Sequence, residues 1–253
     1  MSRRATLSVP GGFSLLEVLV VVAVLGVLAA LLLPALARSK GRAKEAYCTS
    51  NLKQVHAAFV MYVHDNGKCP GWIHWQNSRW ESTGFIGGKD GRDTNAPAAR
   101  VRPLFPYAGA SDVFRFPADV GIDITNRGGF WMEPSCFDTV GVSYSYNSGL
   151  YLKGTTESGL AGHPMEWVQH PAAFILMYEI PAWGGDPNEP RSKMVYWHRA
   201  RRPGTDSGAE ADARRGPRVS PFVFVDGHVK FYDCSGQYFG FPRGFGLEAS
   251  QAN

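Results

Sequence analysis

The chain has 253 residues with 26 basic and 22 acidic side chains, which gives a net charge of +4. A balance this close to neutral argues against a polyanionic partner, so we expect no binding to nucleic acid. The sequence contains no phosphate-binding loop, no G-x-S-x-G nucleophile motif and no H-E-x-x-H zinc motif, and we therefore expect that the protein is not an enzyme.

The first predicted element is a helix within residues 11–37. A single carboxylate, Glu17, precedes an apolar run that extends from Val18 to Ala37. At about 1.5 Å per residue this run is about 30 Å long, the thickness of a bilayer core, and it predicts a membrane helix. A carboxylate next to hydrocarbon is costly and indicates a functional role. An ordinary signal peptide is disfavoured because its apolar stretch is shorter and its small residues follow that stretch, whereas Gly11 and Gly12 precede it here.

The helical pattern continues beyond the apolar run. No proline or glycine occurs from Ala43 to Val63. Apolar residues recur there at alternating spacings of four and three, at Cys48, Leu52, Val55, Phe59 and Tyr62. This stripe predicts a helix that packs on a globular domain. The turn residues Asp65-Asn66-Gly67 should end it, so we predict one helix over residues 13–64, about 78 Å long.

The remaining residues, 65–253, form the predicted soluble domain, which is long enough to build its own core. Short apolar runs predict strands at Val140–Tyr146, Ala173–Ile180, Met194–Trp197 and Phe222–Tyr232. The last of these contains Asp226-Gly227 and predicts a β-hairpin. Strands and helices do not alternate as in parallel α/β proteins. We therefore predict an α+β fold, in which the long helix packs on a mainly antiparallel sheet with large loops.

The junction before the apolar run has the sequence G-F-S-L-L-E over residues 12–17. This motif resembles the processing site of type IV prepilins and type II secretion pseudopilins. The resemblance implies that prepilin peptidase cleaves between Gly12 and Phe13 on the cytoplasmic side, and that Phe13 is then N-methylated. Glu17 becomes the fifth mature residue and Pro34 the twenty-second, where many pilins also carry a proline.

Glu17 and Pro34 are the assembly residues that this resemblance implies. When helices pack side by side in a filament, the Glu17 carboxylate can meet the Phe13 amine of a neighbouring subunit, so that two costly charges neutralise each other in an apolar bundle. The alternative is that Glu17 only sits at the headgroup boundary. Pro34 lacks an amide proton and should kink or loosen the helix near Ala30.

The resemblance also implies an organisation and a location. Residues 1–12 are the leader, 13–37 the transmembrane and assembly helix, 38–64 its amphipathic extension and 65–253 a pilin-like domain. The protein would cross the inner membrane once, with the leader cytoplasmic and the C-terminal domain periplasmic, and would then join a pilus or pseudopilus. Its implied partners are prepilin peptidase, other pilin-like subunits and the secretion or pilus assembly machinery. Charge alone mildly favours the reverse orientation, because more basic residues follow the apolar run than precede it.

Parts of the soluble domain resemble a branch of pilin-like proteins abundant in Planctomycetes and Verrucomicrobia. The resembling segments are Cys48–Gln54, Val113–Asp119, Ser143–Asn147 and Val225–Val229. Phe116 stands where the branch has cysteine, and an arginine-rich insertion, residues 199–221, precedes the last segment. We expect an exposed loop there rather than a nucleic-acid surface, because aromatic residues do not alternate with the arginines.

Calcium is the one cofactor that the resemblance brings into question, because related pseudopilins often bind it in a C-terminal loop. Asp226 and Asp233 are the candidate ligands, and Asp119 or the loop with Asp186 and Glu189 could also supply oxygens. The spacing of an EF-hand is absent. The alternative for Asp226 is that it serves only the hairpin turn.

Four cysteines in an exported domain raise the question of disulfides. Cys48 lies about 24 Å along the helix from His64, whereas the chain from His64 to Cys69 spans at most about 18 Å. A bond between Cys48 and Cys69 is therefore disfavoured, and we expect Cys48 to be a buried thiol. The other three cysteines remain alternative partners, and we favour a bond between Cys136 and Cys234. Without C-x-x-C spacing we expect no zinc.

An aromatic-rich loop with Trp72 and Trp75 leaves a second function open. These rings should pack over the sheet, but stacking on a sugar is the alternative. The sequence thus favours a structural subunit of a type IV pilus or type II secretion pseudopilus. The alternative is a membrane-anchored module that binds a sugar or a surface.

Overall fold

The computed structural model describes residues 14–71, 85–123, 131–132, 134–148, 159–179 and 219–233. By its internal contacts the chain divides into two units, residues 1–43 and residues 44–253. One helix, α1, runs from Leu15 to Asn66 and so contributes residues to both units.

In the first unit every described residue is exposed. The part of α1 that belongs to this unit is dominated by leucine and valine, and it includes Pro34 within the helix. A contiguous apolar surface of this size is rare on a protein that is surrounded by water. The apolar run that predicted a membrane helix therefore forms a helix whose apolar side chains are all exposed within this unit.

The second unit combines the C-terminal part of α1 with strands and short helices. The strands are β1 (Ile122–Asp123), β2 (Trp131–Met132), β3 (Tyr144–Tyr146), β4 (Ile175–Glu179), β5 (Val219–Phe224) and β6 (Val229–Asp233). A second α-helix, α2, spans Cys136–Val140, and short 3-10 helices lie at Ala99–Val101, Ser111–Phe114 and Met165–Trp167. Strands β3, β4, β5 and β6 form an antiparallel sheet in that order, and β1 pairs with β2. The fold is the predicted pilin-like α+β arrangement.

The predicted apolar stripe of α1 is buried in this unit. Its members Cys48, Leu52, Val55 and Phe59 are at most 1% exposed, and Tyr62 is partly buried. They share one core with side chains of the sheet, as the contact between the rings of Phe59 and Tyr146 shows. Spacings of three and four place these residues on one side of a helix, which explains why the pattern predicted the packing face.

The helix ends where the sequence indicates. Asn66 is its last residue, and Gly67 follows with a φ of 71°. The Gly67 amide donates to the Val63 carbonyl oxygen at 2.8 Å. Glycine adopts this left-handed conformation without steric cost, so it closes the helix.

The predicted β-hairpin is formed by β5 and β6. Asp226 and Gly227 lie in its turn, and Gly227 has a φ of 90°. A Cβ atom at Gly227 would lie 2.7 Å from the His56 ring. That ring also contacts the Val225 carbonyl oxygen through Nε2 at 3.0 Å. The turn therefore needs glycine both for its conformation and for its close approach to α1.

One predicted strand begins later than expected. Val140 is the last residue of α2, and strand β3 begins only at Tyr144. The Asp138 amide donates to Ser135 Oγ at the start of α2, and Gly141 ends the helix with a φ of 85°. The two caps stabilise a helix that the apolar and β-branched composition does not indicate. The predicted strand at 194–197 lies outside the described residues.

Cys48 is a buried thiol as predicted, and its sulfur lies 3.3 Å from the Tyr144 hydroxyl. Cys136 also carries a free buried thiol, which contradicts the favoured disulfide with Cys234. The Cys136 side chain is enclosed in the core beside Asp119, and burial together with that carboxylate raises its pKa. Cys234 lies outside the described residues.

Candidate functional site

The candidate assembly site lies at the N-terminus of α1. The predicted cleavage residues Gly12 and Phe13 lie outside the described residues. The Ser14 amide donates to Glu17 Oε2 at 2.8 Å, and the Glu17 amide donates to Ser14 Oγ at 3.2 Å. This reciprocal pair is a capping box, which satisfies two amides that a helix start leaves without internal acceptors.

The capping box gives the Glu17 carboxylate a local role that the sequence analysis did not single out. Glu17 is exposed and lies in the first turn, where the positive end of the helix dipole favours an acid. Ser14 is a residue that sequence reasoning missed, although the spacing S-x-x-E is the signal that identifies such a cap. The amine that cleavage would create belongs to Phe13, next to the amide that Glu17 already binds.

Among the described residues, α1 is the one helix that is long and apolar enough to cross a membrane, by length and composition. Pro34 lies inside it and has no N–H to donate to the Ala30 carbonyl oxygen. Glu17 and Pro34 thus lie at the start of this apolar segment and within it. Their roles in assembly stay predictions.

The candidate calcium ligands hold other hydrogen bonds. Asp226 Oδ1 accepts from the His228 amide at 3.0 Å and lies 2.6 Å from His228 Nδ1, which serves the hairpin turn. Strand β6 ends at Asp233, whose side chain is outside the described part of the structure. No group of three or more His, Cys, Asp or Glu residues that could hold a metal is found among the described residues. Asp226 Oδ1 is thus engaged in the turn, and calcium binding by Asp226 and Asp233 stays a prediction.

Asp119, another candidate for calcium, is a half-buried acceptor that holds α2 in place. Its carboxylate accepts from the amides of Gly121, Cys136 and Phe137, each at 2.9 Å, and from Ser143 Oγ at 2.7 Å. Burial raises the pKa of Asp119, against these four hydrogen bonds, which favour the charged form. Each Asp119 oxygen accepts two of these hydrogen bonds, so this particular carboxylate does not fit a calcium site.

Arg102 is a buried charge that sequence reasoning missed. It is 1% exposed and donates to the carbonyl oxygens of Gly87 at 2.7 Å and of Val140 at 2.8 Å. Two further hydrogen bonds reach the Pro97 carbonyl oxygen. Burial lowers the pKa of Arg102 to about 10, so the guanidinium is still charged at neutral pH. Because its acceptors are backbone atoms of separate segments, its role is to join those segments.

The candidate sugar-binding aromatics cannot be placed, because Trp72 and Trp75 lie outside the described residues. Another tryptophan, Trp167, is 37% exposed. Its ring stacks on His163 with centroids 4.1 Å apart and meets the edge of Phe174. This stack contributes an aromatic surface that the sequence analysis did not select.

Comparison with known proteins supports the interpretation of the N-terminal segment. The family described as the prokaryotic N-terminal methylation motif matches residues 10–33. The type II secretion system core protein G of Pectobacterium carotovorum subsp. carotovorum is 41% identical over 59 residues, which are 23% of this chain and 38% of that protein. The proteins of the same name from Klebsiella pneumoniae and Pseudomonas aeruginosa are 42% and 41% identical over 59 residues, again 23% of this chain and 42% of each of those proteins.

The matched segment spans about two-fifths of the length of these relatives. No solved structure matches the chain. The resemblance predicted from the G-F-S-L-L-E junction is thereby confirmed. The chain carries a prokaryotic N-terminal methylation motif, and its matched segment is homologous to type II secretion core protein G.

Proposed function

We propose that this protein is a structural subunit of a type II secretion pseudopilus. The observation that carries the proposal is the methylation motif at residues 10–33, which includes the start of the exposed apolar helix α1. The relatives that share 59 residues with the chain are named as core proteins of type II secretion, which favours a pseudopilus over a type IV pilus. The proposal assigns no catalytic role to the protein.

The proposed pathway begins with processing. Prepilin peptidase removes residues 1–12, and the new N-terminal residue, Phe13, is methylated. The apolar part of α1 holds the subunit in the inner membrane as a single span, with the leader cytoplasmic and the soluble domain periplasmic. The subunit then assembles with other pilin-like subunits through this helix, helped by the secretion machinery.

Glu17 is the proposed charge partner in assembly. In the single subunit its carboxylate binds the Ser14 amide. Removal of the leader places a positive amine at Phe13, and in a bundle of apolar helices an unpaired carboxylate is costly. Pairing the carboxylate with the amine of a neighbour offsets that cost and sets the register between helices.

Mass spectrometry of the protein from cells that contain prepilin peptidase tests the processing step. We expect a mature chain that begins at methylated Phe13. The variant Gly12→Leu should retain its leader, because a bulky residue replaces the glycine of the motif. A wild-type protein that keeps its leader in such cells would overturn the proposal.

A co-purification assay tests the role of Glu17. Glu17→Ala should still insert in the membrane but should no longer co-purify with differently tagged wild-type subunits. Glu166→Ala is the matched control, because it removes an exposed carboxylate from the soluble domain, and it should assemble normally. If Glu17→Ala assembled as well as the wild-type chain, charge pairing would be rejected. The remaining role of Glu17 would be to cap α1.

The second candidate function is a membrane-anchored module that binds a sugar or a surface. The exposed Trp167 ring, held by His163 and Phe174, favours it, because aromatic faces stack on apolar sugar faces. Retention of the full chain in detergent on polysaccharide resin would support this function if Trp167→Ala, Trp72→Ala or Trp75→Ala abolished the retention. If the full chain is not retained on the resin, the sugar-binding function is rejected and the structural subunit remains the proposed function.

A further inference from the structure

A dense group of cations follows the apolar run of α1. Residues 38–44 contain four basic side chains, Arg38, Lys40, Arg42 and Lys44. No acidic residue lies between Glu17 and Glu45. We refer to the four side chains as the basic collar. Arg38, Lys40 and Arg42 are exposed and Lys44 is half-buried, and among the described residues no ion pair within 4.0 Å joins any of them to a carboxylate.

The collar surrounds the helix. Successive residues of an α-helix are about 100° apart, so Arg38 and Arg42 lie about 40° from each other on one side. Lys40 and Lys44 form a similar pair on the opposite side. A partner that docks on one side of the helix would meet only half of these charges. An environment that encloses the helix would meet all of them.

We propose that the basic collar binds the anionic headgroups of membrane phospholipids. The apolar run ends at Ala37, so Arg38 begins where a bilayer-spanning segment leaves the hydrocarbon and reaches the headgroups. Arginine and lysine side chains extend along apolar surface and keep their charged ends in the headgroup layer. Clusters of about four to eight such residues on the cytoplasmic side of a membrane helix attract acidic lipids. The same electrostatic attraction acts at any bilayer surface that exposes acidic headgroups. The inference rests on the membrane anchoring in the proposed function, but not on filament assembly.

The collar has a consequence for the proposed orientation. With the leader cytoplasmic, the collar lies on the periplasmic side, against the usual distribution of positive charge. Headgroup binding would hold the end of the span at that surface. A subunit that leaves the bilayer for a filament would have to release these lipids, so the collar would oppose premature extraction.

Spin-label spectroscopy of the reconstituted full chain tests the inference. Vesicles of phosphatidylcholine would carry a trace of spin-labelled phosphatidylglycerol or spin-labelled phosphatidylcholine, and the fraction of motionally restricted label reports lipid bound to protein. We expect phosphatidylglycerol to associate at least about fivefold more strongly than phosphatidylcholine at low salt, the factor to which the attraction of a single Lys or Arg corresponds. The ratio should fall towards one at about 1 M salt, where the screening length is about 3 Å.

The collar variant replaces all four cations, as Arg38→Gln, Lys40→Gln, Arg42→Gln and Lys44→Gln, and it should show a ratio near one. The matched control changes net charge equally at exposed positions elsewhere, as Lys53→Gln, Lys68→Gln, Arg92→Gln and Arg100→Gln. The control should keep the wild-type preference for phosphatidylglycerol. Equal association of both lipids with the wild-type chain, or equal loss in both variants, would overturn the inference.

The same measurement separates the inference from the proposed function. Complete absence of restricted lipid would show that the helix does not enter the bilayer, and would overturn both. If lipid is restricted but phosphatidylglycerol is not preferred, only the proposed headgroup binding by the basic collar is overturned. The collar variant could instead keep its lipid preference and fail to co-purify with other subunits. That result would show that the four cations contact protein, and headgroup binding would be rejected.

Discussion

Two parts of one helix differ completely in their surroundings. In the first unit Leu31 is 70% exposed, whereas in the second unit Leu52 is fully buried. Both are leucines within α1, and the helical backbone continues from one to the other. The difference lies in what covers the side chains. Leu52 has partners within the chain, and an apolar segment such as the one around Leu31 requires partners outside it, either lipid or other subunits.

The two units also use polar groups differently. In the first unit the described polar contacts of the apolar segment are local, as in the capping box of Ser14 and Glu17. In the second unit Arg102 is buried and Asp119 is half-buried, and both bind backbone atoms of separate segments. A buried charge is tolerated only when its hydrogen bonds are satisfied. The following predictions test this contrast, from the largest expected effect to the smallest.

Arg102→Ala should lower the free energy of unfolding of the second unit by about 4 kcal/mol, because it leaves three buried carbonyl oxygens without their donor. Urea unfolding of the full chain in detergent, followed by near-ultraviolet circular dichroism, measures the change. Arg100→Ala is the control, because Arg100 is exposed in the same 3-10 helix, and it should change the free energy by less than about 0.5 kcal/mol. Equal effects of the two substitutions would contradict the buried role.

Leu52→Ala should lower the free energy of unfolding of the second unit by about 3 kcal/mol, since it removes buried apolar atoms and leaves a cavity. Leu31→Ala removes the same atoms from an exposed position and should leave that unfolding transition unchanged. The same urea titration measures both. A comparable loss in Leu31→Ala would mean that the apolar segment stabilises the second unit, and that the two leucines do not differ in the way their exposure indicates.

Ser14→Ala should weaken the start of α1 by about 1 kcal/mol, because it removes the acceptor of the Glu17 amide. Hydrogen exchange of that amide, measured by NMR in detergent micelles, should accelerate about fivefold. Ser14→Thr keeps a hydroxyl and should restore slow exchange. The urea midpoint of the second unit should not move in either variant, and unchanged exchange in Ser14→Ala would show that the cap is absent in the micelle.

Substitution of Asp138 should have the smallest effect on the free energy of unfolding, and that effect should depend on pH. Hydrogen bonds from Ser135 and Lys89 lower its pKa from the ordinary value of 3.8. The folded pKa lies below the unfolded one, so the stabilisation is present above the unfolded pKa and is lost as the pH falls through the folded pKa. Asp138→Asn should cost less than about 1 kcal/mol at neutral pH, because the pair is partly exposed.

Urea titrations of wild type and Asp138→Asn from about pH 7 to about pH 2 measure this dependence. The difference between the two proteins should shrink towards acid. Glu166→Gln, at an exposed carboxylate outside this network, serves as the control for a change of charge alone. A difference that stayed constant over the whole range would show that the Asp138 charge does not contribute.

Much of the fold was predictable because it depends on local patterns. The stripe of Cys48, Leu52, Val55, Phe59 and Tyr62 marks the face of α1 that is buried. Asp226-Gly227 marks a turn that does form. The strand was predicted to begin too early, at Val140, because this apolar, β-branched residue precedes the strand. Val140 instead ends the short helix α2, which Ser135 and Gly141 cap. Such a cap is visible in the sequence only when the helix is already suspected.

The sequence by itself determined the long helix, its apolar N-terminal segment, the processing motif and the hairpin, because spacing and turn chemistry act between residues close in the chain. Only the tertiary structure decided what the charged groups of Asp119 and Arg102 do. Asp119 binds an amide 17 residues away and Arg102 a carbonyl 38 residues away. Asp119 was a candidate for calcium and is instead the anchor of α2, because packing brought the amides of that helix to its oxygens.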